Sequence, residues 1–218
     1  MKAPGPLYVI AAGTLAAAAY VWWANQSVSM VYTGDPYDGG DGTDTSGGDS
    51  TSSFDFTDIG SSVSNIFTSV SSAISDPNVR AFLAMIRRGE GTSGANGYRM
   101  LFGGSLFTSY ADHPPGTVTA SGYTSSAAGA YQIKTQTWIE MKAAYGLPDF
   151  SPASQDIAAV GLIKRRGALA DVLAGRWQTA IAKCAKEWAS LPGSPYGQPT
   201  ISMDTALATI AANGGVTA

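Results

Sequence analysis

Cysteine and histidine are nearly absent from this 218-residue chain, which has one of each, Cys184 and His113. A single cysteine excludes a disulfide within the chain and a cysteine-rich metal site, and a single histidine argues against zinc. We therefore expect no metal or cofactor, so the chemistry must come from carboxylates and hydroxyls. Cys184 shares one helical face with Trp177, Ile181 and Trp188, at three- and four-residue offsets, which predicts a buried thiol.

Charged residues are also scarce, at 13% of the chain, and they are unevenly divided. Residues 1–78 have one Lys and eight Asp, for a net charge of −7, whereas residues 79–218 have twelve Lys or Arg against eight acidic residues, for +4. The two parts are therefore expected to have different roles. A mildly basic globular part is attracted to an anionic polymer, but it lacks the stripe of basic and aromatic residues that indicates a nucleic-acid partner.

The N-terminal segment has no charge between Leu7 and Ala24 (LYVIAAGTLAAAAYVWWA). As a helix this stretch spans about 27 Å, close to the ~30 Å hydrocarbon core of a bilayer. Trp22 and Trp23 suit a headgroup interface, and Lys2 has the only positive side chain nearby. Residues 1–26 are therefore predicted to form a membrane-spanning helix with the N-terminus inside and the rest of the chain facing the periplasm or cell wall.

Two alternatives remain for the same segment. The alanines at 16–19 offer a small-residue site for cleavage of a signal peptide. A buried helix of a soluble domain is the other alternative, although the segment shows no polar face.

The next segment, residues 27–53, is dominated by Gly, Asp, Ser and Thr and is predicted to be a flexible linker. Gly39 to Asp44 reads GGDGTD, like the first six positions of a calcium-binding nonapeptide repeat. That repeat binds calcium only when copies stack, and Ser46 stands where a large apolar residue is needed. We therefore expect no calcium site here.

Residues 54–75 repeat apolar side chains every three or four positions, which predicts an amphipathic helix. Its polar face has no Lys or Arg, so packing on the following domain or on sister copies is favoured over adsorption to anionic lipid. The apolar residues are Phe56, Ile59, Val63, Ile66, Phe67, Val70 and Ile74.

Residues 76–218 are predicted to form one α+β domain. Asp76 and Pro77 are typical of a helix boundary, and a helix follows from Val79. A Gly-rich stretch with short β-branched and aromatic runs covers residues 89–133, and helices continue to about Ala211. The order of a helix, a small irregular sheet and more helices is typical of the α+β class.

Glu90 is placed at the C-terminal end of the first helix, which stops at Gly89. The helix dipole is negative there and disfavours a carboxylate by up to about 1 kcal/mol, more when the group is partly buried. The pKa of Glu90 is therefore expected to be raised, as a general acid requires. An exposed glutamate without a role, beside Arg87 and Arg88, is the alternative.

The domain resembles the bacteriophage lambda endolysin family over residues 80–210. The resemblance rests on six blocks in order, namely FLAMIRRGEGT (82–92), GGSLFTSYADHP (103–114), GAYQI (129–133), DFSPASQD (149–156), IKRRGAL (163–169) and CAKEWASLPGSPYGQ (184–198). It implies a lysozyme-like fold, mainly helical with a small irregular β-sheet, and a lytic transglycosylase acting on peptidoglycan glycan strands. The family's catalytic glutamate lies in the first block, so the resemblance implies that Glu90 is the catalytic residue.

A hydrolysing lysozyme normally needs a second carboxylate, about 5 Å or about 6.5 to 9.5 Å from the first. One class of hydrolysing phage lysozymes has Asp nine residues after the catalytic Glu and Thr six further on, where this chain has Arg99 and Ser105. A lone acid instead fits a transglycosylase that forms 1,6-anhydro-N-acetylmuramic acid. Two alternatives are a hydrolytic muramidase using Glu90 and Asp112 and a non-catalytic peptidoglycan-binding component. Asp112 also suits the start of a turn.

The substrate contacts we expect first are Tyr131 and Gln132, a phenol and an amide suited to sugar hydroxyls and N-acetyl groups. Tyr131 is also compatible with core packing, as we expect for Trp138, Trp177 and Trp188. The further candidates are glycines that allow close approach of a glycan and residues that could line a cleft, although the same glycines suit turns and His113 suits a loop. They are Gly103, Gly104, Gly129, Phe107, His113 and Tyr196.

A lytic enzyme joined to a membrane suggests two settings. The enzyme either belongs to the virion and opens the cell wall as the genome enters, or waits in the host inner membrane until lysis. The Ala-rich helix favours lysis, whereas the acidic linker and the helix at 54–75, which would contact sister copies or other virion proteins, favour the virion.

Overall fold

The computed structural model describes residues 70–120, 122–197 and 199–218. The predicted membrane-spanning helix, the linker and most of the 54–75 helix lie outside these residues. Among the helices that are described, none is long and apolar enough to cross a membrane.

The described part is mainly helical with one small sheet, which agrees with the predicted α+β class. Strands β1 (Val118–Ala120) and β2 (Tyr123–Ser125) pair antiparallel, with Ala120 opposite Tyr123. The helices are α1 (Pro77–Gly89), α2 (Thr135–Tyr145), α3 (Pro152–Arg165), α4 (Leu169–Leu173), α5 (Trp177–Cys184) and α6 (Met203–Ala212).

Helix α1 begins and ends where the sequence predicts. The Asp76 carboxylate accepts hydrogen bonds from the backbone N–H groups of Asn78 and Val79, and Pro77 occupies the first turn, where no N–H is needed. Its apolar stripe is buried, and α1 packs along α6. The helix ends at Gly89, with Glu90 as its C-cap.

An irregular stretch connects α1 to α2. It contains 3-10 turns at Gly97–Arg99 and Phe102–Gly104 and isolated bridges that pair Met100 with Leu106, Leu101 with Ala128, and Ala128 with Ile133. These bridges bring the segment after Glu90 beside the 128–133 segment.

The core lies between the helices, and its largest buried side chains include Trp138, Trp188 and Tyr131. Cys184 is fully buried together with Ile181 and Trp188, so the predicted core thiol is confirmed. Burial raises the pKa of this thiol to about 12, which leaves it un-ionised. At the end of the 54–75 segment, residues 70–73 are helical, and Val70, Ala73 and Ile74 lie against the same core.

Candidate active site

Glu90 occupies a buried position at the end of α1. Its backbone N–H donates to the carbonyl of Ile86, and the residue is 5% exposed. The hydroxyl of Ser190 donates a 2.6 Å hydrogen bond to Oε1 of Glu90. Ser190 follows α5 in the chain and is itself 3% exposed. A carboxyl group with one hydroxyl partner is therefore held at a fixed place in the protein.

The pKa of Glu90 is raised to about 8, because burial disfavours the ionised form more than the hydrogen bond from Ser190 favours it. The direction agrees with the sequence prediction, but the cause is burial. In the part of the chain that the structure describes, no second carboxylate contributes to this shift. Glu90 is consequently protonated at neutral pH and can donate a proton.

The backbone after Glu90 is tied to the segment that contains Tyr131 and Gln132. The Thr92 hydroxyl donates to the carbonyl of Ala130, and the indole of Trp188 donates to the carbonyl of Tyr131 at 3.2 Å. The Ala130 N–H donates to Oε1 of Gln155 at 2.8 Å. The 129–132 segment therefore has a fixed position relative to Glu90.

Tyr131 is a core residue in this structure, which agrees with the core packing that the sequence left open. It does not offer an exposed substrate contact. It is 1% exposed, and its hydroxyl donates to Oδ1 of Asp156 at 2.6 Å. Tyr98 donates to the same oxygen at 2.8 Å. Burial raises the pKa of Tyr131 well above its usual value, so the phenol stays protonated.

Gln132 also turns inward. It is 5% exposed, and its side-chain amide donates to the carbonyls of Gly129 and Met100. Its φ of 47° lies in the left-handed region that non-glycine residues rarely adopt, and these hydrogen bonds offset the strain. In this structure the amide closes its own turn.

The predicted glycines serve local backbone geometry. Gly129 has φ 78°, and a Cβ there would lie 2.2 Å from Oε1 of Gln155. Gly103 has φ 80°, and a Cβ would lie 2.7 Å from Cβ of Ala120. Gly104 has φ 92° and open space around it, so only its conformation requires glycine. Turns and close packing explain all three positions.

The predicted aromatic lining is divided between core and surface. The rings of Phe107 and His113 both pack against Phe150. His113 is 7% exposed, and its Nε2 lies 2.8 Å from the carbonyl of Ile133. Burial lowers the pKa of His113. Tyr196 is half-buried, and its hydroxyl donates to the carbonyl of Lys186. None of these hydrogen bonds reaches Glu90, and a role for these residues in lining the cleft stays a prediction.

Residues 112 and 99 are the two positions considered for the second carboxylate of a hydrolysing lysozyme. Asp112 accepts hydrogen bonds from the indole of Trp138 and the ammonium of Lys142, at 2.7 and 2.8 Å. Arg99 donates to the carbonyls of residues 107 and 108, and its guanidinium lies 4.3 Å from the ring centre of Tyr110. The carboxylate of Asp112 is therefore occupied by an ion pair, and residue 99 is a cation instead of a carboxylate.

Sequence reasoning missed Ser190, although it lies within the block CAKEWASLPGSPYGQ. A serine one hundred residues from Glu90 has no local pattern that distinguishes it from its neighbours. The related feature of the sequence is the glycine that precedes Glu90. The structure shows its purpose, because a Cβ at Gly89 would lie 2.6 Å from Oγ of Ser190.

Comparison with known proteins points to one family. Residues 80–217 match the family model described as Endolysin. The chain is 41% identical over 143 residues to the endolysin of Escherichia phage lambda, which covers 62% of this chain and 90% of that protein. It is 40% identical over 157 residues to the endolysin of Escherichia phage P2, covering 65% and 95%.

Among solved structures, the fold is similar to bacteriophage lambda lysozyme complexed with a chitohexasaccharide. The TM-score is 0.62 at 39% identity, and the match covers 65% of this chain and 97% of the lysozyme. A second structure of the lysozyme from bacteriophage lambda gives a TM-score of 0.57. The chain therefore belongs to the endolysin family, as a phage enzyme of lysozyme-like fold that degrades peptidoglycan.

Proposed function

We propose that the chain is a lytic transglycosylase that cleaves the β-1,4 bond between N-acetylmuramic acid and N-acetylglucosamine in peptidoglycan. The product is a 1,6-anhydro-N-acetylmuramic acid end. The observation that carries this proposal is the buried carboxyl of Glu90, which has a pKa of about 8 to which no second carboxylate contributes among the described residues.

The first step uses Glu90 as an acid. Its proton passes to the glycosidic oxygen, the bond from that oxygen to C1 of the muramic acid breaks, and N-acetylglucosamine leaves with a free hydroxyl. Positive charge develops at C1 and on the ring oxygen, and the ionised Glu90 then stands beside it. A neutral carboxyl at pH 7 is the form that this step requires, and burial provides it.

The second step uses the same group as a base. The C6 hydroxyl of the muramic acid attacks C1 and gives its proton to Glu90, which closes the anhydro ring and regenerates the acid. No water is consumed, so no second carboxylate is needed to activate water or to form a covalent sugar intermediate. One residue with a raised pKa suits both steps, because it releases a proton and takes it back.

Two features weigh against a hydrolytic muramidase. Asp112, its candidate second carboxylate, has its pKa lowered to about 2, mainly by the hydrogen bond from Lys142, and it also accepts from the buried Trp138. Arg99 replaces the Asp of one class of hydrolysing phage lysozymes and is bound to backbone carbonyls. A non-catalytic wall-binding role is disfavoured by the raised pKa of Glu90.

The proposed substrate is a glycan strand. The lambda lysozyme that this chain resembles was solved with a chitohexasaccharide, which is a β-1,4 chain of N-acetylglucosamine units. Peptidoglycan strands have the same linkage and alternate this sugar with its muramic derivative. We infer that the strand passes over Glu90 and the neighbouring backbone of residues 129–132.

Membrane attachment through residues 7–24 is part of the proposal, with the enzyme acting on the wall either as the genome enters or at lysis. Its basis is the uncharged apolar run and the acidic segment between that run and the basic domain, which has eight Asp and no Lys or Arg. Extraction of infected-cell membranes with carbonate is expected to leave the protein in the pellet. Recovery in the supernatant would contradict the anchor, and absence from purified particles would contradict the virion setting.

Product analysis in water enriched in oxygen-18 tests the proposed reaction. Full-length protein should release muropeptides with anhydro ends that contain no label, because the new ring oxygen comes from C6 of the sugar. A hydrolase would instead release reducing ends labelled at C1. Digestion of the same peptidoglycan by a hydrolytic muramidase provides the labelled reference. Labelled reducing ends from this protein would establish the muramidase alternative.

A further inference from the structure

We propose that Ser190 is a positioning residue that fixes which oxygen of Glu90 carries the catalytic proton. Its hydroxyl donates to Oε1 and so leaves Oε2 to exchange the proton with the sugar. This inference rests on the proposed function and goes further by assigning separate roles to the two oxygens of the acid. It is carried by the geometry of three residues: Gly89, Glu90 and Ser190.

The proposal gives this hydrogen bond one direction, with the Ser190 hydroxyl as donor and Oε1 of Glu90 as acceptor. A serine hydroxyl has one proton, and a 2.6 Å contact to Oε1 uses it. Oε1 then acts as an acceptor in both protonation states of Glu90. When the carboxyl is neutral its proton is on Oε2, and when it is ionised Oε2 is the oxygen without the serine donor. Oε2 can therefore serve first as proton donor and then as acceptor without rotation of the side chain.

Ser190 is held firmly enough to orient its partner. Its carbonyl accepts a 2.9 Å hydrogen bond from the N–H of Ile201, and its neighbours in the chain, Ala189 and Leu191, are fully buried. The N–H of Leu191 bonds to the carbonyl of Trp188 at 3.1 Å. The serine is thus part of a rigid turn, which is what a preorganised active site requires.

Gly89 provides the space for this contact. A Cβ at residue 89 would lie 2.6 Å from Oγ and 3.3 Å from Cβ of Ser190, with φ outside the left-handed region. The absence of a side chain is therefore required by Ser190 rather than by backbone conformation. The glycine before the catalytic acid and the distant serine form one unit.

Removing the hydroxyl has two separable effects. The carboxyl of Glu90 loses the restraint that orients Oε2, so the chemical step slows while substrate binding is little changed. It also loses a donor that favours its ionised form, so its pKa rises further. A serine with a purely structural role would lower stability and leave the pH profile in place.

The test compares full-length wild type with Ser190→Ala, Ser190→Cys and Ser194→Ala. Ser194 is the matched control, because it is in the same loop and its buried hydroxyl has no hydrogen-bond partner among the described residues. For Ser190→Ala we expect kcat to fall about 10-fold or more with KM little changed. The alkaline limb of kcat/KM should move up by about one pH unit. The Ser190→Cys thiol, a weak donor of similar shape, should give intermediate values, and Ser194→Ala should match wild type.

Gly89→Ala provides an independent route to the same result. Its methyl group displaces the serine hydroxyl, so it should reproduce the slower kcat and the shifted limb in the wild-type background. In a Ser190→Ala background the hydroxyl is already absent. Adding Gly89→Ala should therefore lower kcat clearly less than it does in the wild-type background. Additive effects, or folded Ser190→Ala and Ser190→Cys proteins with the wild-type kcat and pH profile, would overturn the positioning role.

Failure of this inference is distinguishable from failure of the proposed function. Glu90→Gln is included in the same series and should release no anhydro products. If Glu90→Gln is inactive while both Ser190 variants behave as wild type, only the positioning role is wrong. If Glu90→Gln remains active, the proposed catalytic mechanism itself is wrong.

Discussion

Oδ1 of Asp112 accepts a 2.7 Å hydrogen bond from the indole nitrogen of Trp138, a side chain that is 1% exposed. The same oxygen accepts from the N–H of His113, and Oδ2 forms a 2.8 Å ion pair with Lys142. Trp138 and Lys142 both lie on α2, so Asp112 attaches the preceding loop to that helix. This arrangement gives Asp112 a structural role.

Substitution of Asp112 should therefore affect stability more than chemistry. In Asp112→Ala the buried indole N–H loses its acceptor, and we expect the free energy of unfolding to fall by about 1 to 3 kcal/mol. In Asp112→Asn the amide oxygen still accepts from Trp138, so the loss should be smaller. Denaturant unfolding and release of anhydro products measure the two effects. A folded Asp112→Asn protein without activity would favour the muramidase alternative.

The pH dependence of activity should follow the ionisation of Glu90. The pKa of Glu90 is raised to about 8 by burial, so the acid form predominates below that pH and is lost above it. We expect kcat/KM to decline as pH rises through about 8. A decline near pH 5, at the ordinary titration of an exposed glutamate, would contradict the buried acid.

The free energy of unfolding should also depend on the ionisation of Glu90, and it should decrease as Glu90 ionises. The folded-state pKa of Glu90 lies above the unfolded value of 4.5, so the stabilisation is complete below about pH 4.5 and is lost as pH rises through about 8. Glu90→Gln has no charge to bury and accepts the same hydrogen bond from Ser190. It should be more stable than wild type at pH 9, by up to a few kcal/mol, and nearly equal to it at pH 4. Equal stability at both values would contradict the buried charge.

Local sequence patterns predicted much of the fold. Asp76 and Pro77 marked the start of α1, and the spacing of Trp177, Ile181 and Cys184 identified a buried face, because capping and helical periodicity depend on neighbours in the chain. The placement of Glu90 at the end of α1 was predicted for the same reason.

Long-range hydrogen bonds could not be predicted in this way. Ser190 reaches Glu90 across 100 residues, and the Tyr131 hydroxyl is satisfied inside the core by Asp156. A phenol that contacts a sugar and a phenol that bonds a half-buried carboxylate have the same local sequence pattern. The hydrogen bond from the Gln132 amide to the backbone of its own turn was likewise not indicated by the sequence, and its role as a substrate contact stays a prediction.

Gln155 should be among the most sensitive polar residues of the domain. It is fully buried, donates to the carbonyls of Tyr98 and Phe150, and accepts from the N–H of Ala130. Gln155→Leu fills a similar volume but removes the partner of three backbone groups, of which those of Ala130 and Phe150 are buried, so we expect a loss of about 3 kcal/mol or more in the free energy of unfolding. The exposed Gln136→Leu is the matched control and should change it by less than about 0.5 kcal/mol.

A loss in Gln155→Leu no larger than in the control would show that water or a rearranged backbone satisfies these groups. Because Gln155 holds the 129–132 segment through the N–H of Ala130, and we propose that the glycan passes over this segment, the same variant should also bind glycan more weakly. Sedimentation of the protein with insoluble peptidoglycan measures this second effect.

Digestion of purified peptidoglycan by the full-length protein, with mass spectrometry of the muropeptides, tests the role of Glu90 most directly. Full-length protein is preferable to residues 76–218, because Val70 and Ala73 belong to the core. The comparison is wild type, Glu90→Gln and Glu140→Gln, the last an exposed glutamate paired with Arg165. We predict anhydro-muramic products from wild type and Glu140→Gln and none from folded Glu90→Gln. Anhydro products from Glu90→Gln at the wild-type rate would contradict the assignment of Glu90 as the catalytic acid.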